Sequence, residues 1–453
     1  SYIYDARGRV IHTIDPDGFT NSVGYDTSGL VEWTLDKLGR TSTNNYDARG
    51  LLLSVRNAEG KYEQFQRDFE GRVTNRLDQL NRSTKSVYDA LGRLQSTIAP
   101  DNTTNTTVYD ALGRVALTID ARGTTNAFGY DAAGRRVAVT NAFDTALQQV
   151  MTYAYDANGN QTNLVDALSR TTTYQYDALN RRTNVVLADT STISTVYDIA
   201  GRRVAETDQA TNTTQFAYDG LGRLAAVTNA LNAVTRFAYD ETGGLTNQVD
   251  ALNRTNRFEY DRMGRRLRQF LPGGQVEGFG YDRVGNLISH TNFAGLILTN
   301  SYDSMNRLAG RWHGSTNLEA YAYSATGQLT NRVDGGGTNR WVYDLRDRVR
   351  TNTTPVGTLF YQYDTGGNLT NLLSGTSGGV SIGYQYDALG RLTNVIDNGL
   401  TGTRNTAYTF DVAGNLQTLK YPNGLTNLWQ YDAVHRLTNL TWKVAGSQRG
   451  DFA

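Results

Sequence analysis

Cysteine is absent from this chain of 453 residues, which excludes disulfides and thiolate metal sites. The four histidines, His12, His290, His313 and His435, lie in different stretches, and no two have metal-ligand spacing. No metal or cofactor is therefore expected. No apolar run approaches the ~20 residues of a membrane helix, so no membrane span is expected. Neither sign of charge is in excess, with Lys plus Arg and Asp plus Glu at 44 each. That balance offers no field to hold nucleic acid or anionic lipid. Hydrophobic residues make up only 39% of the chain, while tyrosine alone supplies 28 residues, which fits a thin structure with two wet faces better than a thick core.

What is present is a beat. Tyr-Asp recurs every 21 residues from Tyr4-Asp5 through Tyr25, Tyr46, a variant at Arg67-Asp68, Tyr88, Tyr109 and Tyr130. After a four-residue insertion near Ala146 to Met151 it resumes at Tyr155 and holds to Tyr323, then loosens through Tyr343, Tyr363, Tyr386, Phe410 and Tyr431. The repeat runs through residues 1–453 without a linker, so one array is expected, with irregular units from about 343 to 410. The chain starts three residues before a tyrosine, and Phe452 falls one period after Tyr431. Both suggest a fragment of a longer polypeptide.

With the aromatic residue at position 0, position 4 is glycine in 17 of 21 units. Its replacements are Asn180, Asn306, Asp347 and His435, the types most enriched at positive φ. Asp-x-x-Gly therefore reads as a type I turn closed by a left-handed residue. A second turn follows about ten residues later, as in Asp15-Pro16-Asp17-Gly18, and all five prolines fall at its second residue, where their fixed φ suits the turn. Between the turns, runs such as Thr235, Phe237 and Tyr239 alternate with Arg236, Ala238 and Asp240, the period of a strand. Each repeat thus predicts strand, turn, strand, turn, giving about 42 strands and almost no helix.

Two geometric expectations follow. The aspartate at position 1 should face the arginine at position 5, as Asp89 with Arg93, Asp219 with Arg223 and Asp387 with Arg391, and the aromatic should face the Leu or Val at position 6. An odd period would flip Tyr to the opposite face at each repeat, so every unit needs a further bulge or a different second turn. A ribbon of ~42 strands spaced ~4.8 Å apart would be on the order of 200 Å long, and twist should wind it up. The expected fold is all-β, a continuous antiparallel hairpin meander of about 21 repeats spiralling into a hollow shell or tube.

The units Tyr88-Asp89-Ala90-Leu91-Gly92-Arg93-Leu94, Tyr218-Asp219-Gly220-Leu221-Gly222-Arg223-Leu224 and Tyr386-Asp387-Ala388-Leu389-Gly390-Arg391-Leu392 resemble the YD or RHS repeats. The resemblance covers essentially the whole chain. It implies a β-strip wound into a shell, which encloses a toxic C-terminal segment in bacterial polymorphic toxins and toxin-complex proteins and serves adhesion in teneurins. It also implies a secreted or surface location in a bacterium. The family's autoproteolytic Asp-Pro-x-Gly segment has no counterpart at the end of this chain, and Asp15-Pro16-Asp17-Gly18 lies in an ordinary second turn.

No catalytic set stands out, since the plentiful aspartates are periodic and serve turns. Gly335-Gly336-Gly337 and Gly273-Gly274 fall in second turns and precede no helix, which argues against phosphate binding. Arg449-Gly450-Asp451 resembles an integrin tripeptide by coincidence. Thr-Asn recurs within strands, as in Thr183-Asn184, Thr246-Asn247 and Thr393-Asn394, although Asn is depleted there. Hydrogen-bonded rows of amides, a polar lining, or a compositional bias could each explain it.

The leading expectation is a non-enzymatic structural shell that encapsulates or presents a C-terminal cargo, its repeat residues being Tyr88, Asp89, Gly92, Arg93, Tyr218, Asp219, Gly222, Arg223, Tyr386, Asp387, Gly390 and Arg391. An extracellular adhesin or fibre that binds carbohydrate, or other copies through open edges, is the alternative, and an enzyme is the third reading.

Overall fold

The computed structural model describes residues 1–399 and 402–444, with backbone alone at 447–452. The side chains of Arg449, Asp451 and Phe452 lie outside the described residues. Two compact units are present, one of Ser1–Ser86, Phe216–Arg348 and Thr353–Pro355, the other of Val87–Gln215, Val349–Asn352 and Val356 onward. The repeat runs through both.

Among the described residues there are 43 strands and no helix. Within each unit consecutive strands pair antiparallel, as Val115–Ile119 does with Thr104–Tyr109 before it and Thr125–Tyr130 after it. Position 4 has positive φ in all 21 repeats, including Asn180 at 62°, Asn306 at 62°, Asp347 at 60° and His435 at 65°. The Asp-x-x-Gly turn closes as its residue types require. In the repeat of Tyr109, the Gly113 amide donates to the Asp110 carbonyl at 3.0 Å and the Asp110 amide to the Arg114 carbonyl at 2.8 Å. The second turn repeats this pattern, with Gly123 donating to Asp120 and Asp120 to Thr124.

The odd period is reconciled by a bulge in the first hairpin. Tyr109 faces Val115 and Val108 faces Leu117, so Ala116 at position 7 has no partner. The same shift accompanies Tyr25, Tyr130, Tyr176, Tyr239 and Tyr386, and no shift occurs at the ordinary second turns, such as that between Leu94–Ile98 and Thr104–Tyr109. One extra residue per repeat restores parity, and every Tyr returns to the same face.

Irregularity begins earlier than the loosened spacing suggests. The second turns after Tyr302, Tyr323 and Tyr343 have two residues, at Gly314–Ser315, Gly335–Gly336 and Pro355–Val356. In the first of these a second bulge at Arg311/Trp312 makes up the missing residue and keeps the period at 21. The insertion forms a longer second turn across Ala142 to Gln148, anchored by the buried Ala142.

Almost nothing is buried. Val139, Ala142 and Phe258 are the only hydrophobic residues reaching a buried state among those described, with Ser22 the only polar one. Stability must therefore come from bonds repeated in every unit, since no core supplies it.

Candidate functional site

The repeated first turn carries the most elaborate chemistry. Its aspartate accepts two amides of its own turn, as Asp89 Oδ1 does from Leu91 at 3.0 Å and from Arg93 at 2.9 Å. The other oxygen accepts the position-5 guanidinium, Arg93 Nε to Asp89 Oδ2 at 2.7 Å. Asp219 with Arg223 and Asp387 with Arg391 show the same 2.7 Å bond. The carboxyl groups of Asp89 and Asp219 are held below their ordinary value chiefly by the amide of the position-5 arginine and further by its side chain, with burial opposing both. The aspartate at position 1 thus faces the arginine at position 5 as expected, and Tyr386 faces Leu392.

The position-5 arginine also reaches the next repeat. Arg223 donates to the Asp240 carbonyl at 2.8 Å while its guanidinium lies 4.8 Å from the centre of the Tyr239 ring. Arg93 covers Tyr109 at 4.4 Å, and Arg391 covers Phe410 at 4.7 Å while donating to the Asp411 carbonyl at 3.2 Å. The tyrosine hydroxyl reaches back, Tyr239 to the Leu224 carbonyl and Tyr109 to the Leu94 carbonyl, at 2.8 and 2.9 Å. Where position 5 is arginine and the next aromatic is tyrosine, as at Arg223 and Tyr239, the junction between repeats is a clasp of ion pair, cation–π contact and two bonds to main-chain carbonyls.

Gly92, Gly222 and Gly390 have positive φ of 79°, 81° and 77°, and at other repeats the clasp adds a second demand on this glycine. A Cβ on Gly29 would meet Arg9 Nη1 of the preceding repeat at 3.3 Å, and one on Gly113 would meet Arg93 Nη1 at 3.6 Å. All four repeats with another residue at position 4 follow a repeat whose position 5 is a short amide: Asn160, Asn286, Gln328 and Asn415. Asn160 donates to Asn180 Oδ1 and Asn286 to Asn306 Oδ1, both at 2.7 Å, and Asn415 Oδ1 lies 3.0 Å from His435 Nδ1. The two positions are chosen together.

The Thr-Asn dipeptide has a local cause. Its threonine occupies the bulge and donates to a carbonyl across the hairpin, Thr183 to Gln175 and Thr393 to Gln385, at 3.3 and 3.1 Å. Its asparagine donates to the facing glutamine, Asn184 to Gln175 Oε1 at 2.8 Å and Asn394 to Gln385 Oε1 at 3.0 Å. These are pairs within a hairpin.

A second constellation joins distant parts of each unit. In the first unit, second turns of the early repeats rest on first turns about 250 to 265 residues later. Arg82 holds Asp347 through two bonds of 2.8 and 2.9 Å and also binds Asp78, with only 11% of its side chain exposed. Asp347 is the first cause of the raised affinity of Arg82 for its proton. Arg40 donates to the Asp303 carbonyl at 3.3 Å, and Glu59 pairs with Arg307. Met305 shares a cleft with Leu35, Arg40 and Ala58. The second unit repeats the scheme: Arg122 donates to the Asp387 carbonyl at 3.5 Å, Arg170 to the Asp432 carbonyl at 3.0 Å, and Arg436 binds Asp189 at 2.8 Å. Leu389 shares a cleft with Arg122 and Thr124. We call this contact of turn edge on turn edge the seam.

The histidines do not converge. His12 bonds Ser22, His290 pairs with Glu277 and stacks on Phe279, and His435 lies on the seam beside Arg170 and Asp166. Among the described residues no group of three or more His, Asp or Glu is placed to hold a metal ion. No helix is long and apolar enough to cross a membrane.

Comparison with known proteins follows from this geometry. A family model described as Teneurin YD-shell matches residues 1–172 and 169–353. The chain belongs to the YD-shell family. No curated protein matches this YD-shell chain. Among solved structures, TcdB2-TccC3-Cdc42 is similar at 16% identity and a TM-score of 0.67, over 96% of this chain and 26% of that one. TcdB2-TccC3 is similar at 15% and 0.59, over 100% and 33%, and the Photorhabdus luminescens Tc holotoxin pore at 16% and 0.66, over 96% and 26%. At such identities the likeness concerns the fold, and the YD-shell chain spans about a quarter to a third of the length of these structures.

Proposed function

We propose that this chain is the wall of a shell in a secreted or surface-attached bacterial protein, and that it encloses or presents a cargo segment of that protein without catalysing a reaction. The observation that carries the reading is the seam. A β-strip whose turn edges bind each other over some 250 residues of sequence can build a wall without a core, and a wall without a core has a function only by what it surrounds or displays. Membership in the YD-shell family and the fold shared with toxin-complex structures favour the same use. In this reading Tyr88, Asp89, Gly92, Arg93, Tyr218, Asp219, Gly222, Arg223, Tyr386, Asp387, Gly390 and Arg391 are the joints of the wall, and the whole chain is one array.

Limited proteolysis of the full-length protein tests it. An enclosed segment resists protease in the intact protein and becomes cleavable when the seam is weakened by Arg82→Ala with Arg170→Ala. A segment cut at the same rate in both proteins would overturn enclosure.

A further inference from the structure

At a junction with arginine in position 5, one place between the repeats is filled by a guanidinium. Arg9 Nε lies 2.8 Å from Asp5 Oδ2, and the group is 4.2 Å from the centre of the Tyr25 ring. Arg223 adds its bond to the carbonyl of the next aspartate. Leucine stands at position 5 in two repeats only, at Leu30 and Leu51. After Leu51 the next repeat brings its own cation, Arg67 in place of tyrosine, and after Leu30 the aromatic is Tyr46. Asp26 Oδ1 accepts the Leu30 amide at 2.9 Å, while among the described residues no partner reaches Asp26 Oδ2 or the Glu32 carboxylate. Among the same residues no cation covers the Tyr46 ring, and the Asp47 carbonyl accepts only the Gly50 amide, at 2.9 Å. A cavity of about 490 Å³ opens at this junction, lined in part by Asp26, Leu30, Glu32, Tyr46 and Asp47. The cavity follows from the residue at position 5. A second one, of about 440 Å³, opens after Asn415 against the corresponding Asp411, Gln417 and Tyr431, although that junction lies on the seam beside Leu168 and Arg170. The two differ in charge. Asn415 already donates to Asp411 Oδ2 at 2.8 Å and position 7 there is the neutral Gln417, whereas at the first cavity Arg49 neutralises Asp47 and leaves Asp26 and Glu32 without a cation.

We propose that this cavity is a binding site for an arginine side chain carried by another polypeptide, which takes the place that the chain's own arginine takes at the junctions before and after. The incoming guanidinium donates to Asp26 Oδ2 and to the Asp47 carbonyl, lies over the Tyr46 ring and faces Glu32. Its methylenes pack on Leu30, whose side chain already runs toward the next turn and would stand 3.3 Å from a Cβ on Gly50. Two acceptors set apart around a ring suit a planar fork, and a single ammonium cannot reach both. The chain thus carries the template for its own ligand, since Arg9 at Tyr25 and Arg223 at Tyr239 show how the group is held. The site does not depend on whether the wall encloses a cargo.

Saturation-transfer NMR of the whole chain with N-acetyl-arginine amide tests it, with N-acetyl-citrulline amide as the neutral isostere and N-acetyl-lysine amide as the other cation. The arginine probe should bind with a Kd on the order of 1 mM, as expected for a ligand of this size, and the other two more weakly. Two variants locate the site. Asp26→Asn with Glu32→Gln removes both charges while keeping an oxygen for the Leu30 amide, and should weaken binding about 10-fold or more. Leu30→Arg fills the cavity from within, as Arg9 does one repeat earlier, and should abolish binding with an unchanged circular dichroism spectrum. An unaltered chain that does not bind the arginine probe overturns the proposal, as does binding that survives Leu30→Arg or the double variant. Equal binding of the lysine or citrulline probe would overturn the assignment to a guanidinium.

Discussion

Leu389 and Leu91 occupy the same place in the same seven-residue unit, yet one is partly covered in a cleft shared with Arg122 and Thr124 and the other projects into solvent. The turns around them are alike: both have the internal Asp–Arg pair at 2.7 Å and a left-handed glycine. The hairpin is thus complete without the seam, and the seam adds a second use to residues that already form a turn. Local order and long-range order are separable in this protein. The clasp joins repeat to repeat, and the seam joins one length of strip to another.

Acid should have the largest effect, because it reaches both kinds of contact at once. Asp219 is held below the unfolded value of 3.8 chiefly by the Arg223 amide, and at Asp166 the cost of burial is outweighed by the amides of Arg170 and Leu168. A depressed carboxyl contributes stability that is fully present above the unfolded value and is lost as pH falls through the folded one. The melting temperature should stay level from neutral pH to about 5 and drop steeply below about 3.8, as differential scanning fluorimetry would show.

Arginine truncation then separates the regions. Arg82→Ala leaves Asp78 and Asp347 facing a partly buried gap and should cost about 2–4 kcal/mol in chemical denaturation. Arg254→Ala removes an identical 2.7 Å pair with Asp250 whose arginine is 62% exposed, and should change stability by less than about 0.5 kcal/mol. Equal effects would mean that the seam adds nothing to the turn.

Within the clasp, Gly29→Asn should destabilise by about 1 kcal/mol because Arg9 occupies the space above the glycine. Adding Arg9→Asn should recover most of that loss, since it recreates the amide pairing of Asn160 with Asn180. Additive losses would break the rule that the two positions are chosen together. A modest effect of opposite sign is expected at Thr211, a β-branched residue held at a φ of 66°. Thr211→Gly should raise stability by about 0.5–1 kcal/mol, read as a shift of the denaturation midpoint.

Much of this fold was legible in residues that admit few conformations. Glycine, asparagine and proline at fixed offsets placed both turns, and the odd period called for either a further bulge or a different second turn, of which the structure has the bulge, at position 7. Thr183 and Asn184 were visible as a pattern but not as a cause, because the bulge had to be placed before the threonine could be seen to satisfy its carbonyl. The clasp left a trace that could have been read, the amides Asn160, Asn286, Gln328 and Asn415 at position 5 of the repeat before each first turn that lacks glycine. The seam left none. Asp347 looked like one more left-handed turn residue, and its partner Arg82 lies 265 positions away, with nothing in the local pattern of either residue to link them.

The most direct test of the account is a double-mutant cycle between those two residues. Asp347→Gly removes the carboxylate while keeping the turn, since glycine is the usual residue there, and Arg82→Ala removes its partner. The account predicts a coupling energy of about 1–3 kcal/mol. A coupling within about 0.3 kcal/mol of zero would contradict the claim that turn edges recognise each other across the chain.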